Sequence, residues 1–212
     1  MTKDVREVRA RDPEATRRRI LKAAKSEFAK RGLGGARVDD IAARAKANKG
    51  MIYHYFGSKD DLFRAVLEEA YADIRKAERK LDLETLEPDA AIVHLVEFTW
   101  RYYLANPEFL TLVNSANLHR GQHLANSETI REIHRPLVGL VREILDRGVG
   151  AGVFRPGVDP VQLNITIAAI GYYYLTNRFT GSIIYERDLM SPDMLDARLA
   201  FNVDTILRLL KA

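Results

Sequence analysis

The chain has no cysteine among its 212 residues, which removes disulfide frameworks, thiolate metal sites and thiol nucleophiles from consideration. It also lacks a long apolar run. The longest uncharged stretch, Val161 to Asn177, is interrupted by Gln162, Asn164 and Thr166, and it falls short of the roughly 20 apolar residues that cross a bilayer. No membrane partner is expected. Met1 to Asp12 is charged and has no signal-peptide core, so the expected location is the cytoplasm. No segment alternates with period two for long enough to make a strand. GxSxG, the P-loop, the GxGxxG dinucleotide motif and HExxH are all missing, as is a defensible pair of carboxylates, which argues against an enzyme and against a cofactor. His119 and His123 share the spacing of two ligands on one helix face, but Gly121 lies between them and no cysteine or HExxH supports them. A polar loop near Arg120 and Gln122 is expected there, and no metal.

What is present is enough apolar material for a core, 47% of the chain, and an uneven distribution of charge. Met1 to Gly57 holds fifteen Lys and Arg against seven Asp and Glu, a balance of +8, whereas the remainder holds eighteen against twenty-two, a balance of −4. A basic module joined to a mildly acidic body implies that the first part meets a polyanion and the second does not.

Apolar spacing is helical throughout, so the fold class is all-α. A first helix begins near Pro13, carries Ile20, Ala24 and Phe28 on one face and Arg17, Arg18, Lys22 and Lys25 on the other, and stops at Arg31-Gly32. Val38, Ile41, Ala42 and Ala45 mark a short second helix. Lys49 to Tyr55 forms a third, with Asn48 as N-cap, Ile52, Tyr55 and Phe56 facing inward, and Gly57 as its end. Ser58 caps a long fourth helix with Asp60 and Asp61 in its first turn and Leu62, Phe63, Val66, Leu67, Ala70, Tyr71 and Ile74 on its buried side. Further helices are expected near Asp89 to Ala105, Pro107 to Leu118, Ser127 to Arg147, Pro160 to Phe179 and Pro192 to Leu210, with Gly148, Gly150 and Gly152 breaking the chain after the third of these. The division is into a module of residues 1–57 and a body of residues 58–212.

Two short helices joined by a tight turn and preceded by a longer packing helix have the proportions of a helix-turn-helix unit. The residues sharpen this. VDDIAARAKANKGMIYHYFGSKDDLF, from Val38 to Phe63, resembles the signature of the tetracycline-repressor (TetR) family through Ile41-Ala42, Lys49-Gly50, Ile52 to Phe56 and Ser58-Lys59. The resemblance implies an N-terminal three-helix DNA-binding domain and a C-terminal helical domain for effector binding and dimerisation. In the body it is architectural only, so the effector stays unidentified.

On that resemblance, Lys49 and Gly50 lie at the end of the recognition helix that enters the major groove, where a residue without a side chain permits close backbone approach. Tyr53 and Lys59 position the unit on phosphates. Arg37 occupies a position where relatives often place a hydroxyl on phosphate, and Asn48 and His54 are candidates for base edges or nearby phosphates. Arg9 and Arg11 are read as an arm toward a flanking groove. The chain departs from the common Gly-Val-Ser turn by having Lys46-Ala47-Asn48, which removes a glycine suited to a left-handed conformation.

In the body, Ile167 and Ile170 on an all-round apolar helix, with Leu195, Leu199, Ile206 and Leu210 at spacings near 3.5, are expected to form a four-helix homodimer interface. Trp100, Tyr103, Phe109, Asn114, Asn117, Tyr173 and Tyr174 combine aromatic surface with a few hydrogen-bonding groups and are the expected effector site. The functional expectation is a regulator that binds a palindromic double-stranded operator as a homodimer and is released by a small molecule. The alternative is a DNA-bound adaptor that recruits a protein and takes no ligand.

Overall fold

The first helix starts where a short carboxylate can reach back to orphan amides. Asp12 accepts from the backbone N–H of Glu14 at 3.0 Å and of Ala15 at 3.2 Å, and Pro13 needs no partner at the first helical position. The computed structural model describes residues 12–125 and 127–212, so Arg9 and Arg11 lie outside the described residues. Among the described residues all repeating structure is helical, with one isolated bridge between Phe154 and Lys211.

Helix α1 (Pro13–Gly35) buries Ile20, Ala24 and Phe28 and is broken at Gly32, whose φ of 66° and ψ of 174° end the regular turns at the expected position. α2 (Val38–Ala45) buries Val38, Ile41, Ala42 and Ala45. It ends on Lys46, which takes the left-handed conformation at φ 50° and ψ 45° and donates its N–H to Ala43 O, while Ala47 donates to Ala42 O. The missing glycine therefore leaves the turn geometry intact, at the steric cost of a Cβ in left-handed backbone. Asn48 Oδ1 accepts from Met51 N at 2.8 Å and opens α3 (Lys49–Phe56). Gly57, at φ 82°, turns the chain, and Ser58 Oγ accepts from Asp61 N at 3.0 Å while donating to Asp61 Oδ2 at 2.6 Å. That reciprocal cap starts α4 (Lys59–Glu78).

The chain divides into two units between Val66 and Leu67 rather than after Gly57. The reason is packing: Leu62, Phe63 and Val66 are fully buried, and Phe63 meets Phe28 edge-to-face at 5.1 Å, so the first turns of α4 complete the core of the first unit.

The second unit continues α4 through two short 3₁₀ turns, Arg79–Leu81 and Leu83–Thr85, into α5 (Pro88–Ala105), α6 (Pro107–Leu118), α7 (Glu128–Gly150), α8 (Pro160–Thr176), α9 (Arg178–Ile184) and α10 (Pro192–Leu210). α5 is central: Ile92, Leu95 and Val96 share one core with Leu137, Val141 and Ile144 of α7, Leu163 and Ile167 of α8, and Ile206 and Leu210 of α10. Arg147 donates to the carbonyls of Leu86 and Leu83 at 2.9 and 3.2 Å, satisfying the loop ahead of α5.

Two expectations change here. The single helix from Pro160 to Phe179 is interrupted at Asn177, whose ψ of 11° leaves the helical range, and there the Asn177 side-chain amide and the Thr176 hydroxyl donate to the carbonyls of Tyr173 and Tyr172, local bonds of the kind that bend or end helices. And α7 runs through Gly148 to Gly150, so the break falls at Gly152, where φ is 71°. Gly148 serves packing instead: a Cβ there would lie 1.9 Å from the buried ring of Phe154.

Gly148→Ala should therefore lower the urea midpoint by the equivalent of about 1–3 kcal/mol. Gly150→Ala, which would meet nothing within 4 Å, should leave the midpoint unchanged or slightly raised. Equal midpoints for the two variants would show that Phe154 repacks freely.

Candidate nucleic-acid interface and internal cavity

In the first unit a buried carboxylate braces the helices. Glu27 in α1 is 1% exposed and meets Arg31 at 2.9 Å and Arg44 of α2 at 3.7 Å. Arg44 also donates to Ser26 Oγ at 2.8 Å, and Arg19 Nε donates to Ala45 O at 3.3 Å at the end of α2. Sequence reading missed this brace, although the i, i+4 spacing of Glu27 and Arg31 signals half of it. With α2 held by its back, the start of α3 is left facing outward.

Arg37, Asn48, Lys49, Gly50, Tyr53 and His54 are exposed and Lys59 is half-buried. Arg37 is the N-cap residue of α2 and makes no side-chain capping bond, since a guanidinium has no acceptor to offer. Asn48 is committed: its side chain caps α3. A Cβ on Gly50 would stand 3.3 Å from Asn48 Oδ1, so the glycine guards that cap as well as leaving backbone accessible. Lys49 Nζ lies 3.2 and 3.3 Å from the two carboxylate oxygens of Asp39. His54 rests edge-on against Tyr55, and Arg17 stands 5.3 Å over the ring of Phe56. Tyr55 and Phe56 are half-buried, and Ile52 supplies the fully buried anchor of α3.

The second unit contains a cavity of about 340 Å³. Tyr71, Ile74, Arg75 and Glu78 of α4 form one wall, Thr99 and Tyr103 of α5, Phe109, Val113 and Asn117 of α6, His134 of α7, and Asn164, Ile165, Ala168 and Tyr172 of α8 among others complete it. Of the expected effector residues, Tyr103, Phe109 and Asn117 line this space. Trp100 is buried behind it against Tyr174, and Asn114 accepts from the Tyr172 hydroxyl without lining the cavity. Tyr173 and Tyr174 belong elsewhere, to a second depression of about 310 Å³ with Arg198 and Leu189.

The charged part of the cavity was not anticipated. Arg75 and Glu78 are 12% and 5% exposed and 3.0 Å apart. Glu78 follows Leu67, Tyr71 and Ile74 on the inward stripe of α4, a charge in an apolar register, and that is the signal that could have found it. Burial pushes the Glu78 carboxyl up to about 7 against the opposing pull of Arg75 and Arg79. Burial, with Arg75 adding to it, holds His134 below the usual histidine range although its Nδ1–H donates to Ile130 O at 2.8 Å. The Tyr103 phenol is raised, chiefly by burial.

The expected dimer residues divide in the same way. Ile167, Ile206 and Leu210 are buried in the protomer's own core and are unavailable to a partner, a correction to the seam read from spacing: the 3.5 periodicity of α10 is met by α5 and α8. Ile170, Leu195 and Leu199 are half-buried. Apolar side chains left outward include Tyr173 of α8, at 65%, Phe201 of α10, at 61%, and Phe179 and Ile183 of α9, at 70% and 79%. His119 donates through Nδ1 to Ser115 O, and its ring lies 5.8 Å from that of His123.

A carboxyl whose folded pKa stands above its unfolded value binds extra protons in the folded state between the two, so its stabilising contribution is present at low pH and is lost as pH rises through about 7. Glu78→Gln removes this dependence. The thermal midpoint of the variant should gain on that of the original protein from pH 5 to pH 8, by an amount on the order of 2–3 kcal/mol. A constant difference across that range would place the Glu78 carboxyl in the ordinary range.

Comparison with known proteins joins these two sites. Residues 20–66 match the family described as bacterial regulatory proteins, tetR family, and residues 88–206 match the tetracyclin repressor-like, C-terminal domain. The chain is 40% identical over 201 residues to the HTH-type transcriptional repressor NicS of Pseudomonas putida, covering 95% of each. It is 40% identical over 141 residues to the HTH-type transcriptional repressor SCO4008 of Streptomyces coelicolor, covering 66% of this chain and 70% of that one. Among solved structures, the transcriptional regulator SCO4942 of Streptomyces coelicolor superposes with a TM-score of 0.69 at 26% identity, over 92% of this chain and 98% of that one. FadR of Bacillus subtilis, solved with stearoyl-CoA, shares the fold at a TM-score of 0.67 and 16% identity, over 91% and 98%. A basic helix-turn-helix matched to the family's N-terminal model and a helical body matched to its C-terminal one make this chain a member of the TetR family of DNA-binding transcriptional regulators.

Proposed function

We propose that the protein is a repressor that binds a palindromic operator as a homodimer and lets it go when a small molecule occupies the cavity of the second unit. The observation that carries this reading is the composition of that cavity's wall. Tyr71, Ile74, Arg75 and Glu78 belong to α4, the same helix whose first turns, with Ser58, Lys59, Leu62 and Phe63, belong to the first unit. A ligand that moves α4 acts on the element that supports the DNA-reading residues, and its differential affinity for two α4 positions is what changes operator affinity. A cavity of this size favours a ligand-responsive regulator over an adaptor without one.

Two further features support the reading. NicS and SCO4008 are named repressors, and the FadR structure holds stearoyl-CoA. The outward Tyr173 and Phe201 offer apolar surface that a second copy would cover, so the dimer is assigned to these side chains with Ile170, Leu195 and Leu199 at their edge. Lys49, Gly50 and His54 are assigned to the groove, with Arg37, Tyr53 and Lys59 on phosphates and Asn48 holding the helix that presents them.

Fluorescence anisotropy with duplex from the gene's own upstream region, titrated in salt beside a scrambled duplex, tests this. The upstream duplex should win by about 10³-fold or more. Tyr53→Ala should weaken both duplexes alike, since phosphate contacts position without reading sequence. Asp39→Asn frees Lys49 from its partner and should tighten binding severalfold at low salt, steepening the log–log salt slope by about 0.9. Equal, weak binding of both duplexes would contradict operator recognition, and an unchanged slope in Asp39→Asn would remove Lys49 from the groups that meet DNA.

A further inference from the structure

The Arg75 and Glu78 side chains are close but poorly matched. Nη1 of Arg75 is 3.0 Å from Glu78 Oε2, yet the contact lacks hydrogen-bond alignment, and both Nε and Nη1 of Arg75 are buried without a hydrogen-bond partner. A guanidinium left in this condition is costly, because its donors have given up water and received no acceptor. A planar carboxylate meets a guanidinium with two parallel bonds along its Nε–Nη2 edge, of which Nε is unfilled here, while Nη1 stands on the other side of the group toward Glu78. These donors belong to a side chain that lines the cavity, and the rest of the wall is largely apolar, with Ile74, Phe109, Val113, Ile165 and Ala168.

We propose that the ligand of this cavity is a small organic anion whose carboxylate is held by Arg75. This rests on the effector reading given above and adds the chemical class. A neutral ligand leaves the guanidinium donors unfilled. A cationic ligand meets Arg75 head-on and finds Glu78 as the one acidic side chain in the wall, already 3.0 Å from that arginine. A bare inorganic anion would satisfy Arg75 and leave the apolar wall uncovered. An acid with a hydrocarbon or ring body meets both requirements, and a volume of about 340 Å³, at the low end for ligand sites, keeps it small.

The test is thermal unfolding of the full-length protein with benzoate, phenylacetate and octanoate, each beside its amide, at about 10 mM, with operator binding followed in parallel. At least one acid should raise the midpoint by about 3 °C or more, while its amide moves it by less than about 1 °C. The double variant Arg75→Gln with Glu78→Gln keeps the packing without either buried charge and should lose the response to acids, whereas Glu78→Gln alone should keep it. Arg75→Lys, which keeps the charge and lacks the fork, should respond more weakly than the original protein. Amides that stabilise as well as acids, an undiminished response in the double variant, or no response to any acid would overturn the assignment. Acids that bind through Arg75 but leave operator affinity unchanged would sink the effector reading and leave the anion site standing. Amides that bind and release operator would do the reverse.

Discussion

The structure depends on the way one apolar stripe is divided along α4. Leu62, Phe63 and Val66 fill the first core, and Leu67, Ala70 and Ile74 continue the same stripe in the second unit, all of them 2% exposed or less. α4 is one continuous helix of twenty residues, and the register of its buried stripe is common to its early and later turns. This places a constraint on the cavity. Its α4 wall must be tight enough to fix the stripe and incomplete enough to respond to a ligand, and the replacement of an apolar residue by Glu78 in the last turn meets the second condition. A buried charge pair contributes little to stability and can cost it, so its presence here marks a site where stability has been given up.

How far the sequence revealed all this follows from the range of the contacts. The reading head is built from neighbours. Asn48 caps a helix three residues away, Ser58 does the same for α4, and the break at Gly32 follows from one backbone conformation. Each was visible from residue type and spacing, and the family resemblance between Val38 and Phe63 added the roles. The cavity is built otherwise: Tyr71, Tyr103, Phe109, His134 and Tyr172 come from five helices spread over a hundred residues, and no periodicity within one helix says which of its buried aromatics adjoins empty space. Of the expected effector residues, Tyr103, Phe109 and Asn117 line this cavity and Trp100, Asn114, Tyr173 and Tyr174 do not.

The dimer seam failed for a related reason. A spacing of 3.5 reports that one side of α10 is buried and is silent about what buries it. Ile206 and Leu210 pack into the protomer, and the side chains left outward, such as Phe201, fall between the positions that the pattern selects. The domain boundary slipped by nine residues on the same principle: Gly57 is a clear local stop, but Phe63 belongs with Phe28, thirty-five residues earlier. Asn177 is the instructive exception, a local signal that was overlooked because an otherwise apolar segment surrounded it.

Formal charge also says less than it seems to about how strongly the first unit attracts DNA. A balance of +8 describes the residues up to Gly57, but several of their cations are held by neighbours. Arg31 and Arg44 converge on Glu27, Arg31 also lies 3.5 Å from Asp40, and Lys49 is paired with Asp39 at the very start of the recognition helix. The first two act as braces and cannot leave without exposing a buried carboxylate to an apolar core. Lys49 and Asp39 are both largely exposed, so their pair is weak and salt-sensitive, and a phosphate can displace it at small cost. On the proposed DNA-binding role of Lys49, the second helix thus carries a carboxylate that screens this lysine until DNA arrives. Non-specific attraction is reduced by it, whereas a groove that offers Lys49 a better partner loses little. Selectivity of this kind comes from a repulsive element placed beside an attractive one, and it needs no base contact.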